Sequence, residues 1–164
     1  MDTALEEEEK INFPFKEYQA QIESFHQLML ENQDISDVKL GEDKGTLKEM
    51  VGHLIDSASN NHQRFMRLQL VDTLTFPPYD AEEWRKVSQV ADLDYRFLAT
   101  FWKQYNAFLL HLIQHMDPAT LDHCWVVKEE RKPLNFLVKD YFRHLSWHVD
   151  LFKQRVQEIR STAA

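Results

Sequence analysis

The stretch LVKDYFRHLSWHVDLFKQRVQEI, residues 137–159, decides the fold class, because its apolar residues recur at helical spacing along its whole length. A helix with one apolar stripe must pack that stripe against other elements. We therefore expect a helix from about residue 133 to about residue 160 as one member of a helical bundle. Its apolar positions are Leu137, Val138, Tyr141, Leu145, Val149, Phe152, Val156 and Ile159.

Three further segments have helical signals. Pro14 is a favoured first-turn residue. Thr46 and Glu49 form the spacing of a capping box. Gly52, inside the helix that follows, weakens it and so indicates close packing at that point. A third segment stops before the pair Asp117-Pro118. The expected helices cover residues 14 to about 33, 46 to about 70, and about 92 to 116.

The connections complete the expected architecture. Some 20 residues, VDTLTFPPYDAEEWRKVSQV at 71–90, separate the second and third helices. Antiparallel neighbours need only 2–8 residues, so this segment can cross the bundle and make the two helices parallel. We expect a short helical turn at 82–87 within it, and a small irregular hairpin around 128–131. The prediction is an all-α, four-helix bundle with a long crossover between helices two and three, in one domain at 13–164 after an acidic flexible tail at 1–12.

Composition excludes several function classes. The net charge of −8 argues against binding to a nucleic-acid backbone, which needs a basic face. No apolar run approaches the roughly 18 residues of a membrane span, and no signal peptide is recognisable, so we expect no membrane contact and a cytoplasmic location. The single cysteine, Cys124, forms no internal disulfide and suits a reducing compartment. Beside Trp125 and Val126 it is better explained as a packed residue than as a nucleophile.

Eight histidines raise the question of a metal site, and two pairs have i, i+4 spacing. His144 and His148 project from the edge of the apolar arc, where unpartnered imidazoles would be costly to bury. His111 and His115 lie in the last turn of the third helix, where the helix dipole favours histidine without a metal. That third helix has an expected apolar face made of Phe97, Phe101, Tyr105, Phe108, Leu109 and Leu112.

A catalytic zinc site usually has three protein ligands, and His53 is the best third candidate. If helices two and three are parallel, the fourth helix returns past the early part of the second, which places His144 and His148 level with His53. His62 projects from the opposite side of the second helix. Asp56, Asn60 and Arg64 fall on nearby rows of the same helix, and Asp56 is the one acidic residue placed near His53. The spacing leaves two interpretations open: a three-histidine metal site, or histidines that make structural hydrogen bonds.

The segments GTLKEMVGHLIDSASNNHQRF at 45–65 and DYFRHLSWHVDLFKQRV at 140–156 together resemble the DinB/YfiT-like family of metal-binding four-helix proteins. YDAEEW at 79–84 is similar to a segment of the same family. The resemblance covers the chain from about residue 13 onward. It implies a four-helix bundle in which His53, His144 and His148 bind a divalent metal ion, with zinc or nickel favoured by all-imidazole ligation.

The resemblance does not fix a reaction. Family members use the metal to activate a low-molecular-weight thiol for S-transfer or isomerisation, or are described as hydrolases. We expect a thiol-dependent S-transferase acting on a small-molecule substrate, with a small thiol as a further cofactor. The alternatives are a metal-dependent hydrolase, with Asp56 as the candidate base, and a non-catalytic metal-binding or interaction bundle. No HExxH motif is present to favour hydrolysis.

A homodimer is the expected assembly. The resemblance implies it, and the aromatic-rich connection supplies apolar surface that a second copy could cover. The alternative is that these side chains fold back onto the bundle. The residues concerned are Phe76, Pro77, Pro78, Tyr79 and Trp84.

Overall fold

The computed structural model describes residues 11–163, which form four long helices, one short helix and a small sheet. Of the acidic tail expected at 1–12, residues 1–10 lie outside the described part, and Ile11 is buried in the core. The long helices are α1 (Phe15–Glu31), α2 (Leu47–Leu68), α4 (Tyr95–Gln114) and α5 (Leu134–Thr162), α3 is Ala81–Ser88, and the strands are β1 (Thr73–Thr75), β2 (Cys124–Val127) and β3 (Glu130–Pro133).

Local chemistry explains where the helices begin. The Thr46 hydroxyl accepts a hydrogen bond from the Glu49 amide at 3.1 Å, and the Glu49 carboxylate accepts from the Thr46 amide at 2.9 Å, so the capping box is confirmed. Pro14 and Pro133 directly precede α1 and α5. Asp94 caps α4 by accepting from the Phe97 amide. The four expected helices are confirmed within a few residues at each end.

Contacts along the helices give their directions. Lys48 near the start of α2 donates to the Ala91 carbonyl just before α4, and His62 in the middle of α2 bonds to Tyr105 in the middle of α4. These two helices therefore run parallel, as the long crossover predicts. The four-helix bundle with a crossover between the second and third long helices is confirmed.

The last helix returns antiparallel to α2. The imidazole of His53 lies against that of His148, and the ring of Phe65 lies against that of Tyr141. Residues later in α2 therefore contact residues earlier in α5, as expected for antiparallel helices. This arrangement brings the late turns of α5 beside the early turns of α2.

The small sheet was only partly expected. Strands β2 and β3 form the hairpin predicted near 128–131, with Val127 opposite Glu130 and Lys128 at positive φ in the turn. Strand β1, which pairs parallel with β2, was not predicted. With three residues, this strand is too short to show an alternating apolar and polar pattern in the sequence. The sheet joins the crossover segment to the connection before α5.

The core is continuous between the helices, but the expected apolar face of α4 is wrong in part. Phe97, Phe101 and Phe108 are 58%, 42% and 45% exposed. The adjacent face of α4 packs inward instead, and only Leu109 of the expected set is fully buried. The buried α4 residues are Tyr95, Leu98, Ala99, Trp102, Asn106, Leu109, Leu110 and Ile113. Within residues 11–163, no helix is long and apolar enough to cross a membrane.

Candidate metal centre

The bundle brings His53, His144 and His148 together between α2 and α5. The ring centres of His53 and His148 are 4.9 Å apart, and those of His144 and His148 are 5.2 Å apart. The i, i+4 spacing places the two α5 rings on one face, and the antiparallel packing of α2 supplies the third. Three imidazoles from two helices therefore face one small region.

Three of the other histidines form hydrogen bonds through their rings, whereas Nε2 of His26 is buried without a partner in residues 11–163. The Nδ1 atom of His62 lies 2.9 Å from the Tyr105 hydroxyl, on the α4 side of α2. Nδ1 of His115 lies 2.8 Å from the His111 carbonyl at the end of α4, so this ring has a backbone partner within its own helix. His123 bonds to the Leu68 carbonyl. By contrast, no described residue forms a hydrogen bond with His53, His144 or His148.

Burial keeps two of the three imidazoles neutral. It lowers the pKa of His148 to about 4, with smaller contributions from the charges of His53 and His144. It also lowers the pKa of His53, and the charge of His144 adds to this effect. A neutral imidazole has a free lone pair, which is the form that binds a metal ion.

The spacing of two of the three ring pairs suits a shared ion, although the rings would have to turn to bind it. Metal–nitrogen bonds of about 2.1 Å at tetrahedral angles place the ring centres of two imidazole ligands about 5 Å apart. Both measured separations are close to this value. In their present orientations, however, no three His, Cys, Asp or Glu side chains of residues 11–163 are arranged to hold a metal ion. Rotation of at least one imidazole is therefore required.

Two pockets reach the histidines and share only His53. One, of about 200 Å³, includes His53 and His144 and continues between α2, α5 and the sheet. The other, of about 430 Å³, includes His53 and His148 and is lined by Glu42, Asp43, Glu49, Glu82 and Arg85 among others. The three imidazoles are thus accessible from two directions.

Acidic residues line both pockets, but Asp56, the expected acidic neighbour of His53, lines neither. Asp140, one helical turn before His144, lines the 200 Å³ pocket, whereas Asp56 does not. Asp56 is partly buried, which raises the pKa of its carboxyl. Asn60 is buried and also does not line this pocket. The sequence signal for Asp140 was its i, i+4 relation to His144 on α5.

Arg64 does line the pocket, as its position on α2 suggested. Its guanidinium lies 4.4 Å from the centre of the Trp125 ring and donates to the Asn61 side-chain oxygen at 2.6 Å. Tyr79, from the crossover segment, is a further lining residue, and burial raises the pKa of its hydroxyl. Trp125 and Tyr79 were not predicted here, because their positions depend on the crossover and the sheet.

Comparison with known proteins identifies the fold. No family model and no curated protein matches the chain. Among solved structures, YfiT from Bacillus subtilis is similar with a TM-score of 0.68 and 16% identity, over 87% of this chain and 86% of that chain. That protein is described as a probable metal-dependent hydrolase with an unusual four-helix bundle topology. The chain therefore has a YfiT-like four-helix bundle fold, as the sequence resemblance implied.

Proposed function

We propose that the chain is a metal-dependent enzyme in which His53, His144 and His148 bind one divalent ion, zinc or nickel. The observation that carries this proposal is the approach of three unpartnered imidazoles at ring separations of 4.9 and 5.2 Å. The description of YfiT as a probable metal-dependent hydrolase supports metal-dependent chemistry on this fold. When bound, the ion supplies a +2 charge that lowers the pKa of a coordinated thiol or water.

The preferred reaction is S-transfer from a small thiol to an electrophilic substrate. Such a reaction needs room for two molecules beside the same centre. The two pockets that meet at His53 provide this room from different directions. Three neutral histidines leave the charge of the ion uncompensated, which favours an anionic thiolate. Cys124 does not line either pocket, so the thiol would come from outside the chain.

Hydrolysis is the second candidate, for two reasons. YfiT is described as a probable hydrolase. In addition, the Asp140 carboxylate lines the pocket that contains His53 and His144, where it could accept a proton from water. Asp140 replaces Asp56 as the candidate base for this reaction.

A substrate screen of metal-loaded protein distinguishes the two reactions. Glutathione, bacillithiol, mycothiol and coenzyme A are each offered with epoxides and alkyl halides, and loss of thiol is measured. We expect thiol consumption that survives Cys124→Ser and disappears in His53→Ala. No thiol consumption, together with turnover of an ester or amide panel, would assign the chain as a hydrolase. No turnover in either panel would favour a non-catalytic bundle.

A further inference from the structure

Arg64 is a partly buried cation without a carboxylate partner. Arg85, Arg143 and Arg155 each form a salt bridge with an acidic residue, but Arg64 forms none with any carboxylate of residues 11–163. Its Nε atom is buried and has no hydrogen-bond partner in that range. Burial lowers the pKa of Arg64 to about 10, so the guanidinium remains charged at neutral pH. The nearby charge of Asp140 partly opposes the effect of burial on the pKa of Arg64, but it forms no salt bridge with the guanidinium. A buried charge without a hydrogen-bonded partner ion is costly, and an anionic ligand would reduce that cost.

The guanidinium is held in one orientation. It lies 4.4 Å from the ring centre of Trp125, and it donates to Asn61 Oδ1 at 2.6 Å. Asn61 is itself held by a bond from its Nδ2 atom to the Ser57 carbonyl at 2.8 Å. Because the position is fixed before any ligand arrives, little conformational entropy is lost on binding.

The charge and walls of the 200 Å³ pocket define a ligand class. Lys132 adds a second cation, although it also contacts Glu130 at 3.3 Å, and Asp140 adds one carboxylate. The pocket therefore suits a ligand with one negative charge better than a dianion. Phe136 and Leu137 supply apolar wall, which suits a short hydrocarbon body.

We propose that Arg64 binds the carboxylate of a small monoanionic ligand, whose apolar body lies in the pocket with its other end toward His53 and His144. The planar fork of arginine matches a carboxylate with two parallel hydrogen bonds. Binding of the carboxylate by Arg64 does not depend on the proposed function. Only the placement of the other end of the ligand at a metal centre rests on that function. The ligand is thus an organic carboxylate with its reactive group several bonds from the carboxylate.

Hexanoate and hexanamide are a matched pair of probes for this site. Binding to metal-free, ¹⁵N-labelled protein is followed by NMR through the indole N–H signals of the tryptophans. Trp125 stacks on Arg64, whereas Trp102 is fully buried and lines neither pocket, so it serves as an internal control. We expect hexanoate to shift the Trp125 signal saturably, and hexanamide to bind at least about tenfold more weakly.

Two substitutions of Arg64 and a neighbouring control test the role of the guanidinium. Arg64→Gln should weaken hexanoate binding at least about tenfold. Arg64→Lys keeps the charge but loses the fork, so it should weaken binding several-fold. Arg67→Gln is the control, since Arg67 lies on the same helix over Phe76 and outside this pocket. Its affinity for hexanoate should be unchanged.

The outcomes separate this inference from the metal proposal. Unchanged affinity in either folded Arg64 variant, or tighter binding of inorganic phosphate than of hexanoate, would overturn the inference. Binding that requires zinc and is independent of Arg64 would overturn it as well, while supporting a metal centre. Arg64-dependent binding by protein that takes up no metal would support the inference and count against the metal centre.

Discussion

The imidazoles of His53 and His148 lie against each other with ring centres 4.9 Å apart and ring planes inclined by 56°. Helix α2 supplies one ring and helix α5 the other, so this contact exists only because the two helices pack antiparallel at this level. Burial that lowers the pKa of both rings keeps them neutral at pH 7. The fold thus brings two neutral imidazoles together from distant parts of the chain.

The ligand proposal predicts about one divalent ion per chain in protein purified without an affinity tag. His144→Ala and His148→Ala should each abolish tight binding, because removing one of three ligands leaves too few to hold the ion. His111→Ala and His115→Ala are the matched controls, since they form an i, i+4 pair at the end of α4. Elemental analysis before and after dialysis against zinc or nickel measures the content. Equal loss in both pairs of variants would disprove the choice of site.

Much of this site could be predicted from the sequence, because it depends on helical periodicity. The spacing of His144 and His148 fixes their common face, and the capping box fixes where α2 begins and hence the level of His53. The length of the crossover then gives the parallel direction of α4. Each of these inferences depends on local features, namely residue spacing on a helix, a capping motif and the length of a connection.

The remainder depends on tertiary packing that periodicity does not encode. Helix α4 is apolar on two faces, so large aromatic residues at Phe97 and Phe101 suggested the wrong one, while Leu98 and Trp102 pack inward. Similarly, the sequence favours Asp56 as the acidic neighbour because it follows His53 closely on α2. The pocket that contains His53 and His144 is lined instead by Asp140, on the facing helix, and only the packing of α5 brings it there.

The stability of metal-free protein should fall in acid. The pKa of His148 is about 4 in the folded chain and near 6.5 when unfolded, so between these values the unfolded state binds more protons. Stability due to this group is therefore fully present above about pH 6.5 and decreases as the pH falls toward 4. Its slope is at most about 1.4 kcal/mol per pH unit. Urea denaturation across this range measures it, and His148→Asn should flatten the slope. An identical slope in that variant would contradict the assignment.

Substitution of Asp140 should distinguish hydrolysis, in which Asp140 would act as the general base, from S-transfer. A thiolate nucleophile needs no added base, so Asp140→Asn should retain thiol consumption within a few-fold of the parent chain. Asp56→Asn is the control, since Asp56 does not line the pocket with His144. If the chain is instead a hydrolase, Asp140→Asn should lower kcat for esters or amides by about 10²-fold or more, as expected for loss of a general base.

A homodimer remains a prediction, to be checked by light scattering at tens of micromolar. The crossover segment offers less free apolar surface than the sequence suggested, because Phe76 and Tyr79 are partly buried. Trp84 is 38% exposed and so remains available for a contact. If this segment forms the contact, Trp84→Glu should reduce the mass from twice 19.6 kDa to the mass of one chain. A monomer mass for the unmodified chain would contradict the prediction.

Gly52→Ala should destabilise the bundle where α2 meets the crossover. A Cβ atom at this position would lie 2.9 Å from both methyl carbons of Val90, closer than van der Waals contact allows. Both residues are buried, so the clash cannot be relieved by moving into solvent. Helix propensity favours alanine by about 1 kcal/mol, and overpacking opposes it by about 1–3 kcal/mol. We expect a net loss of up to about 2 kcal/mol in urea denaturation.

A second substitution separates overpacking from any other effect of alanine at Gly52. Val90→Ala alone should destabilise by creating a small cavity, but combined with Gly52→Ala it should recover stability, because the new methyl fills part of the space that the valine leaves. Gly41→Ala is the matched control, since a Cβ there meets no atom within 4 Å. If the losses in free energy of unfolding are strictly additive in the double variant, the effect of Gly52→Ala does not arise from its contact with Val90.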